Sequence, residues 1–273
     1  MASRQPRIGV ALGAGSARGW AHIGVLQALS EAGIRPEIVC GTSIGALVGA
    51  VYADDRLTGL EAWVKALTWR KVVGYFDLSF GGGLLKGEKL FSVLRTEFLA
   101  RNIEELKRPF AAVATDLATG REIWLREGPV ADAVRASIAM PGLFTPTRRD
   151  DQLLVDGALV NPVPVTLARA MGADFVIAVD LSSTIVGRFA HQPDSQEPKM
   201  PNMAEVITGS LNIMSVRITR SRMAGEPAEA VIQPRLGEMG LLEYHRGAES
   251  IAEGRAAAEL AVPQVQRALL DWT

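Results

Sequence analysis

Short apolar runs alternate along the chain with longer stretches whose apolar residues recur at helical spacing. Ile8–Leu12 reads as a buried strand, and Trp20–Ala32 as a helix with Ile23, Leu26 and Leu29 on one face and Gly33 at its stop. Glu37–Cys40, entered through Pro36, reads as a second strand and Ile44–Ala53 as a mostly apolar second helix. Helices are expected about Leu57–Leu67 and Glu88–Ala100, with Gly81-Gly82-Gly83 as a loop between them. Phe110–Thr115 and Glu122–Leu125 read as strands joined through the turn residues Asp116–Gly120, a hairpin. Val130–Ala139 reads as a helix ended by Pro141-Gly142, Leu153–Val155 as a short strand, Pro164–Met171 as a helix and Phe175–Leu181 as a strong strand. Ser182–Pro201 is polar and proline-bearing and is expected to be a mobile loop. Long helical segments follow, with a short strand at Ala230–Gln233 between them. This alternation predicts an α/β fold around a largely parallel sheet.

Composition narrows the function classes. The chain has 273 residues, 48% hydrophobic and 22% charged, enough to bury a sizeable core. With Lys+Arg 29 against Asp+Glu 30 there is no global basic field, so nucleic acid is not an expected partner. One cysteine excludes an internal disulfide framework and a cysteine-rich zinc site, and three histidines leave little for a metal centre. No metal or cofactor is expected. The apolar stretches at 8–15 and 44–53 fall short of the roughly 18–20 residues of a spanning helix. The run after Arg4 and Arg7 is short, glycine-rich and meets Arg18, which reads as a core strand and not a signal peptide; the expected location is the cytoplasm.

The sharpest local signal is Gly41-Thr42-Ser43-Ile44-Gly45, a G-x-S-x-G between a predicted strand and a predicted helix. A sharp turn there strains the serine backbone and exposes its hydroxyl, while the flanking glycines avoid clashes and the helix start aims N–H groups at the site. This makes Ser43 a candidate nucleophile. The candidate histidine bases are His22, His191 and His245. Surface or helix-end roles are expected for each, although His245, at the start of the last helix, matches a Ser–Asp–His chain order. The second signal is Gly13-Ala14-Gly15-Ser16-Ala17-Arg18-Gly19 between the first strand and first helix. It departs from G-x-G-x-x-G, no acidic ribose ligand follows, and no Gly-Lys-Ser/Thr is present, so dinucleotide and P-loop readings fail. A glycine loop presenting backbone N–H groups suits an oxyanion hole. The third signal, Asp156-Gly157-Ala158, would by itself be a turn.

Taken in order, the three motifs resemble the patatin-like phospholipase family, whose pattern is G-x-G-x-x-R-G, then G-x-S-x-G, then D-G-A or D-G-G. The flanks match as well: Ala114-Thr115-Asp116-Leu117, Thr119-Gly120, Ala136-Ser137, Met140-Pro141-Gly142, Phe144-Thr145-Pro146, Asn161-Pro162-Val163-Pro164 and Gly172-Ala173-Asp174. The likeness covers about residues 7–182 and is closest to small bacterial members akin to the catalytic domain of neuropathy target esterase. It implies a three-layer α/β/α single domain, with a core about 7–182, a mobile loop about 183–201 and C-terminal helices about 202–273 packed on it. It also implies Ser43 as nucleophile, Asp156 as general base, and Gly13, Ala14 and Gly15 as oxyanion-hole amides. Arg18 matches the family's basic position, with Gly19, Gly41, Gly45 and Gly157 as supporting glycines. Ala14 stands where many members have glycine, but only its backbone donor is needed.

The implied chemistry is a Ser–Asp dyad acting through an acyl-enzyme on lipid or lysophospholipid esters, with an apolar setting raising the basicity of Asp156. Met200, Met203, Met214 and Met223 fall in one segment, for which core packing is expected, with an acyl channel or lipid contact as the alternative. Arg217, Arg220 and Arg222 read as a solvated face that could meet anionic headgroups at the inner membrane surface. Cys40 reads as a buried strand residue, and Trp63 and Trp69 as core or lid. The rivals are an α/β-hydrolase-type esterase using His245, a malonyl-transferase-like acyltransferase, which needs a downstream core histidine where this chain has none between His22 and His191, and a non-catalytic scaffold retaining the fold.

Overall fold

The computed structural model describes residues 5–75, 77–78, 85–86, 88–141, 143–182 and 203–272. The glycine loop expected at 81–83 and most of the polar loop from 183, with His191 and Met200, lie outside the described residues. The elements, in chain order, are β1 (Ile8–Leu12), α1 (Ala21–Glu31), β2 (Ile38–Thr42), α2 (Ile44–Ala53), α3 (Leu57–Lys65), α4 (Trp69–Tyr75), β3 (Asp77–Leu78), β4 (Leu85–Lys86) and α5 (Glu88–Phe98). There follow β5 (Phe110–Asp116), β6 (Glu122–Leu125), α6 (Val130–Ser137), β7 (Thr147–Arg149), β8 (Gln152–Asp156), α7 (Val165–Ala170), β9 (Phe175–Val179), α8 (Met203–Gly225), β10 (Ala230–Ile232) and α9 (Gly247–Leu270).

The main sheet has the order β10-β9-β1-β2-β5-β8-β7, with β6 also paired to β5. β10, β9, β1, β2 and β5 run parallel, and the pairs of β5 with β6, β5 with β8 and β7 with β8 are antiparallel. Every residue of β2, β5 and β9 is buried, as a sheet covered on both faces requires. Alternate residues feed opposite cores. Val10, Leu12, Val39, Phe110, Ala112 and Ile177 join α1, α2, α6 and α9 on one side. Ala11, Ile38, Cys40, Ala111, Val113 and Val176 meet Leu167 and Ala168 of α7 on the other. That is the three-layer α/β/α arrangement the family resemblance implies.

The C-terminal third is woven into this body. β10 extends the sheet beside β9. α9 crosses α1 so closely that a Cβ on Gly24 would lie 1.9 Å from the Ile251 carbonyl oxygen, and one on Gly254 2.0 Å from that of Ala21. Four elements escaped the sequence pattern, among them the short paired strands β3 and β4. The helix expected at 57–67 is followed by a separate one, α4, and the polar triplet Thr147–Arg149 is a strand. The last helix starts at Gly247, and His245 lies in the preceding 3-10 turn, Tyr244–Arg246.

Two topological features place the site. The chain adds strands to one side of β1, then returns to its other side as β9. The crevice beyond the carboxyl end of β1 is therefore a switch point, where open α/β sheets bind ligands. The second feature is a shared edge. Ala112 and Val113 pair with both β2 and β6, while Ala114 and Thr115 pair with both β6 and β8 or lie between those pairs. β2 and β8 therefore occupy the same edge of β5 and meet end to end, Thr42 opposite Val113 and Asp156 opposite Ala114.

Candidate active site

Ser43 follows Thr42 at that meeting point. Its backbone sits at φ 57°, ψ −126°, outside the regions open to ordinary L-residues, a strain of about 1–3 kcal/mol. The surroundings hold it there. The Ser43 amide donates to Ser137 Oγ (2.8 Å), and Ser137 Oγ donates to the Val113 carbonyl (2.6 Å). Thr42 Oγ1 donates to the Asn161 carbonyl (2.8 Å). Gly45 allows the turn: a Cβ there would lie 2.2 Å from the Leu12 carbonyl oxygen, so α2 could not start against β1.

Asp156 is 1% exposed and divides its two oxygens. Oδ1 accepts from the Ala158 amide (2.8 Å), capping the 3-10 turn that follows the strand. Oδ2 accepts from Ser43 Oγ at 2.6 Å. Thr115 Oγ1 donates to the Asp156 carbonyl (2.8 Å), fixing the backbone. Burial pushes the carboxyl up to about 7, against the pull of the Ser43 and Ala158 hydrogen bonds. A base poised there can take a proton at neutral pH.

The glycine loop runs from Gly13 into a 3-10 turn, Ser16–Trp20. The Gly13 amide donates to the Val179 carbonyl (3.0 Å) and that of Ala14 to Pro162 (2.9 Å). The amides of Gly15 and Ser16 have no acceptor among the described residues. Gly15 borders the cavity that Asp156 lines, and Ser16 the one that Ser43 lines. Arg18 is buried, with Nε directed at the Gly15 carbonyl (3.3 Å) and a guanidinium nitrogen at Asn212 Oδ1 of α8 (3.4 Å).

Those two cavities flank the Ser43–Asp156 pair and share Met140. The one on the Ser43 side is walled by Trp20, Ile44, Leu47, Leu94, Leu143 and Phe144. The one on the Asp156 side mixes Leu159, Leu211 and Leu241 with Arg18, Ser182, Asn212 and Ser215.

Neither of the described histidines, His22 and His245, is the partner of the Ser43 hydroxyl. His22 is fully buried and its Nε2 bonds the Gly13 carbonyl oxygen at 2.7 Å, so that nitrogen carries the proton. Burial lowers its pKa to about 4, which keeps the ring neutral. The His245 ring packs edge-on against Trp69 at 5.3 Å. Among the described residues no group of three or more His, Cys, Asp or Glu is placed to hold a metal ion. Cys40 is buried and its thiol is held protonated by burial. Trp63 packs among Trp20, Tyr75 and Phe98, whereas Trp69 is exposed. Met214 is exposed on α8 and Met223 packs against the α7-side core, and neither lines the two cavities beside Ser43 and Asp156.

At the centre of this site, then, a strained serine at a strand-to-helix turn is bonded to a buried carboxylate between two cavities of an α/β/α body. A family profile described as "Patatin-like phospholipase" matches residues 10–169, and the chain belongs to that family. An uncharacterised NTE family protein of Mycobacterium tuberculosis is 32% identical over 95% of this chain and 92% of its own length. Human patatin-like phospholipase domain-containing protein 6 is 32% identical over 77% of this chain, which spans 17% of that protein. The crystal structure of VipD from Legionella pneumophila shares the fold, with a TM-score of 0.64 at 13% identity over 99% of this chain and 68% of its own.

Proposed function

We propose that this protein is a serine acyl hydrolase of lipid esters, phospholipids or lysophospholipids, working through a Ser43–Asp156 dyad. The observation that carries the reading is the 2.6 Å bond from Ser43 Oγ to the buried Asp156 carboxylate. Asp156 Oδ2 takes the hydroxyl proton as Ser43 Oγ attacks the ester carbonyl. The carbonyl oxygen becomes an oxyanion beside the Gly13-Ala14-Gly15 loop. In the present conformation the open donors there are the amides of Gly15 and its neighbour Ser16. Collapse of that intermediate breaks the bond to the alkoxy oxygen, which leaves as the alcohol with the proton from Asp156. Water then attacks the acyl-enzyme, giving its proton to Asp156, and the second collapse releases the fatty acid and reprotonates Ser43.

The cavities support a division of the substrate. The apolar slot on the Ser43 side suits an acyl chain, and the side with Arg18, Asn212 and Ser215 suits a polar leaving alcohol such as a glycerophospho headgroup. No helix among the described residues is long and apolar enough to cross a membrane. Access to lipid is read instead from α8, which exposes Val206, Ile207, Ile213 and Met214, followed by the exposed Arg217 and Arg220. Apolar side chains followed by cations suit an anionic membrane surface.

A panel of phospholipids, lysophospholipids and short-chain esters, assayed with wild type, Ser43→Ala and His245→Ala, tests the reading. Release of fatty acid by wild type and His245→Ala but not by Ser43→Ala is expected. Loss in His245→Ala equal to that in Ser43→Ala would indicate a triad, and no turnover of any ester by wild type would leave the scaffold reading.

A further inference from the structure

The glycine loop is gripped by groups that no motif marks. Ser16 sits at φ 53°, a left-handed conformation unfavourable for a residue with a side chain. Its Oγ donates to the Leu241 carbonyl (2.7 Å). The one hydroxyl proton of Ser16 is committed there, so in the 2.8 Å contact between Ser16 Oγ and the Tyr244 hydroxyl it is Tyr244 that donates. The Ala17 amide donates to the same Leu241 carbonyl (3.1 Å), and Ser250 Oγ donates to the Arg18 carbonyl (3.0 Å). These partners all come from residues 241–250, outside the 10–169 of the family match. Tyr244 is itself fixed. It is 8% exposed, its ring lies edge-on to Trp20 at 6.0 Å, and burial pushes its phenol up to about 12, so it remains a protonated donor at neutral pH.

We infer that Tyr244 is a positioning residue for the oxyanion loop: by its hydrogen bond to Ser16, beside the Leu241 carbonyl, it holds the left-handed turn that leaves the Gly15 and Ser16 amides open. The C-terminal segment thereby completes the site instead of capping it. The inference rests on the reading of Ser43 as nucleophile. Preorganised amides act where charge develops, so loosening them raises the barrier to the chemical step more than it weakens substrate binding. Tyr244 also borders the Ser43 cavity, and its phenylalanine variant keeps the ring while removing the donor.

The test measures kcat and KM on 1-palmitoyl lysophosphatidylcholine for wild type, Tyr244→Phe, Ser16→Ala and the double variant, with the affinity of a long-chain trifluoromethyl ketone, which forms a tetrahedral adduct. Each single change is expected to lower kcat and ketone affinity together, by about three- to tenfold, with KM within about twofold. The double variant is expected to lose no more than Ser16→Ala alone, because that change already removes the Tyr244 bond along with the one to Leu241. A raised KM at unchanged kcat, an unchanged kcat, or losses that multiply in the double variant would overturn the inference. If Tyr244→Phe does not fold, Ser16→Ala decides alone by the same split. Failure of wild type to turn over or bind the ketone is seen before any variant is made, and it would defeat the nucleophile reading and this inference with it.

Discussion

Ser16 and Ser43 sit on neighbouring copies of one unit, a parallel strand followed by a tight turn and a helix. β1 and β2 pair in register, Leu12 against Gly41, and the turn after each holds a serine at positive φ, Ser16 at 53° four residues beyond β1 and Ser43 at 57° directly after β2. Both hydroxyls donate a short hydrogen bond, 2.7 Å to a backbone carbonyl at Ser16 and 2.6 Å to a carboxylate at Ser43. The partner makes the difference. A carbonyl cannot take the proton, so Ser16 is an anchor; a buried carboxylate lifted to about 7 can, which is why we propose Ser43 and not Ser16 as the nucleophile. Strain at a strand-to-helix turn presents a hydroxyl, and the environment of what it donates to decides whether the hydroxyl is a nucleophile.

The largest effect that would break this contrast is at the pair itself. Ser43→Ala and Asp156→Asn are each expected to lower kcat/KM by at least about a thousandfold, with folding retained by circular dichroism. Losses of similar size from Ser16→Ala would erase the distinction. Next, log kcat/KM should climb with slope near one below about pH 7 and level off above it, as Asp156 ionises in the free enzyme. His22, lowered to about 4, stays neutral over that limb and should not shape it. A limb centred near 4 would mean that the carboxylate is an ordinary one.

A smaller effect lies in stability. The folded carboxyl of Asp156 is raised above its unfolded value, so between about 4 and 7 the native state holds more protons than the unfolded one. Its contribution is favourable at low pH and is lost as pH rises through that window. Asp156→Asn carries no charge to desolvate, so at pH 8 it is expected to melt several degrees above wild type, the gap closing towards pH 4. A variant that melts lower at pH 8 would show that Asp156 is not a strained, desolvated base.

The parts of this site written in local sequence were the legible ones. An apolar strand, a G-x-S-x-G turn and a helix lie within Ile38–Ala53, and their geometry follows from close approach, as Gly45 against Leu12 shows. The partnership with Asp156 spans 113 residues and depends on β2 and β8 sharing one edge of β5, which no spacing reveals; only the family resemblance suggested it. Ser137 and Thr115 hold the elbow and the base through one hydroxyl each, and a lone hydroxyl in an apolar run looks the same whether it is tolerated or needed. β7 was missed because Thr147–Arg149 is only partly buried at the sheet edge and carries no apolar alternation. The grip of Tyr244 on Ser16 reaches across 228 residues.

Mapping the adduct of a fluorophosphonate probe by mass spectrometry tests the central claim most directly, because the probe needs an activated serine and no knowledge of the natural substrate. The account predicts one modified residue, Ser43, with Ser16 unmodified, and labelling slowed at least about a hundredfold in Asp156→Asn. Modification at Ser16, or labelling of Ser43 in Asp156→Asn at the wild-type rate, would contradict it.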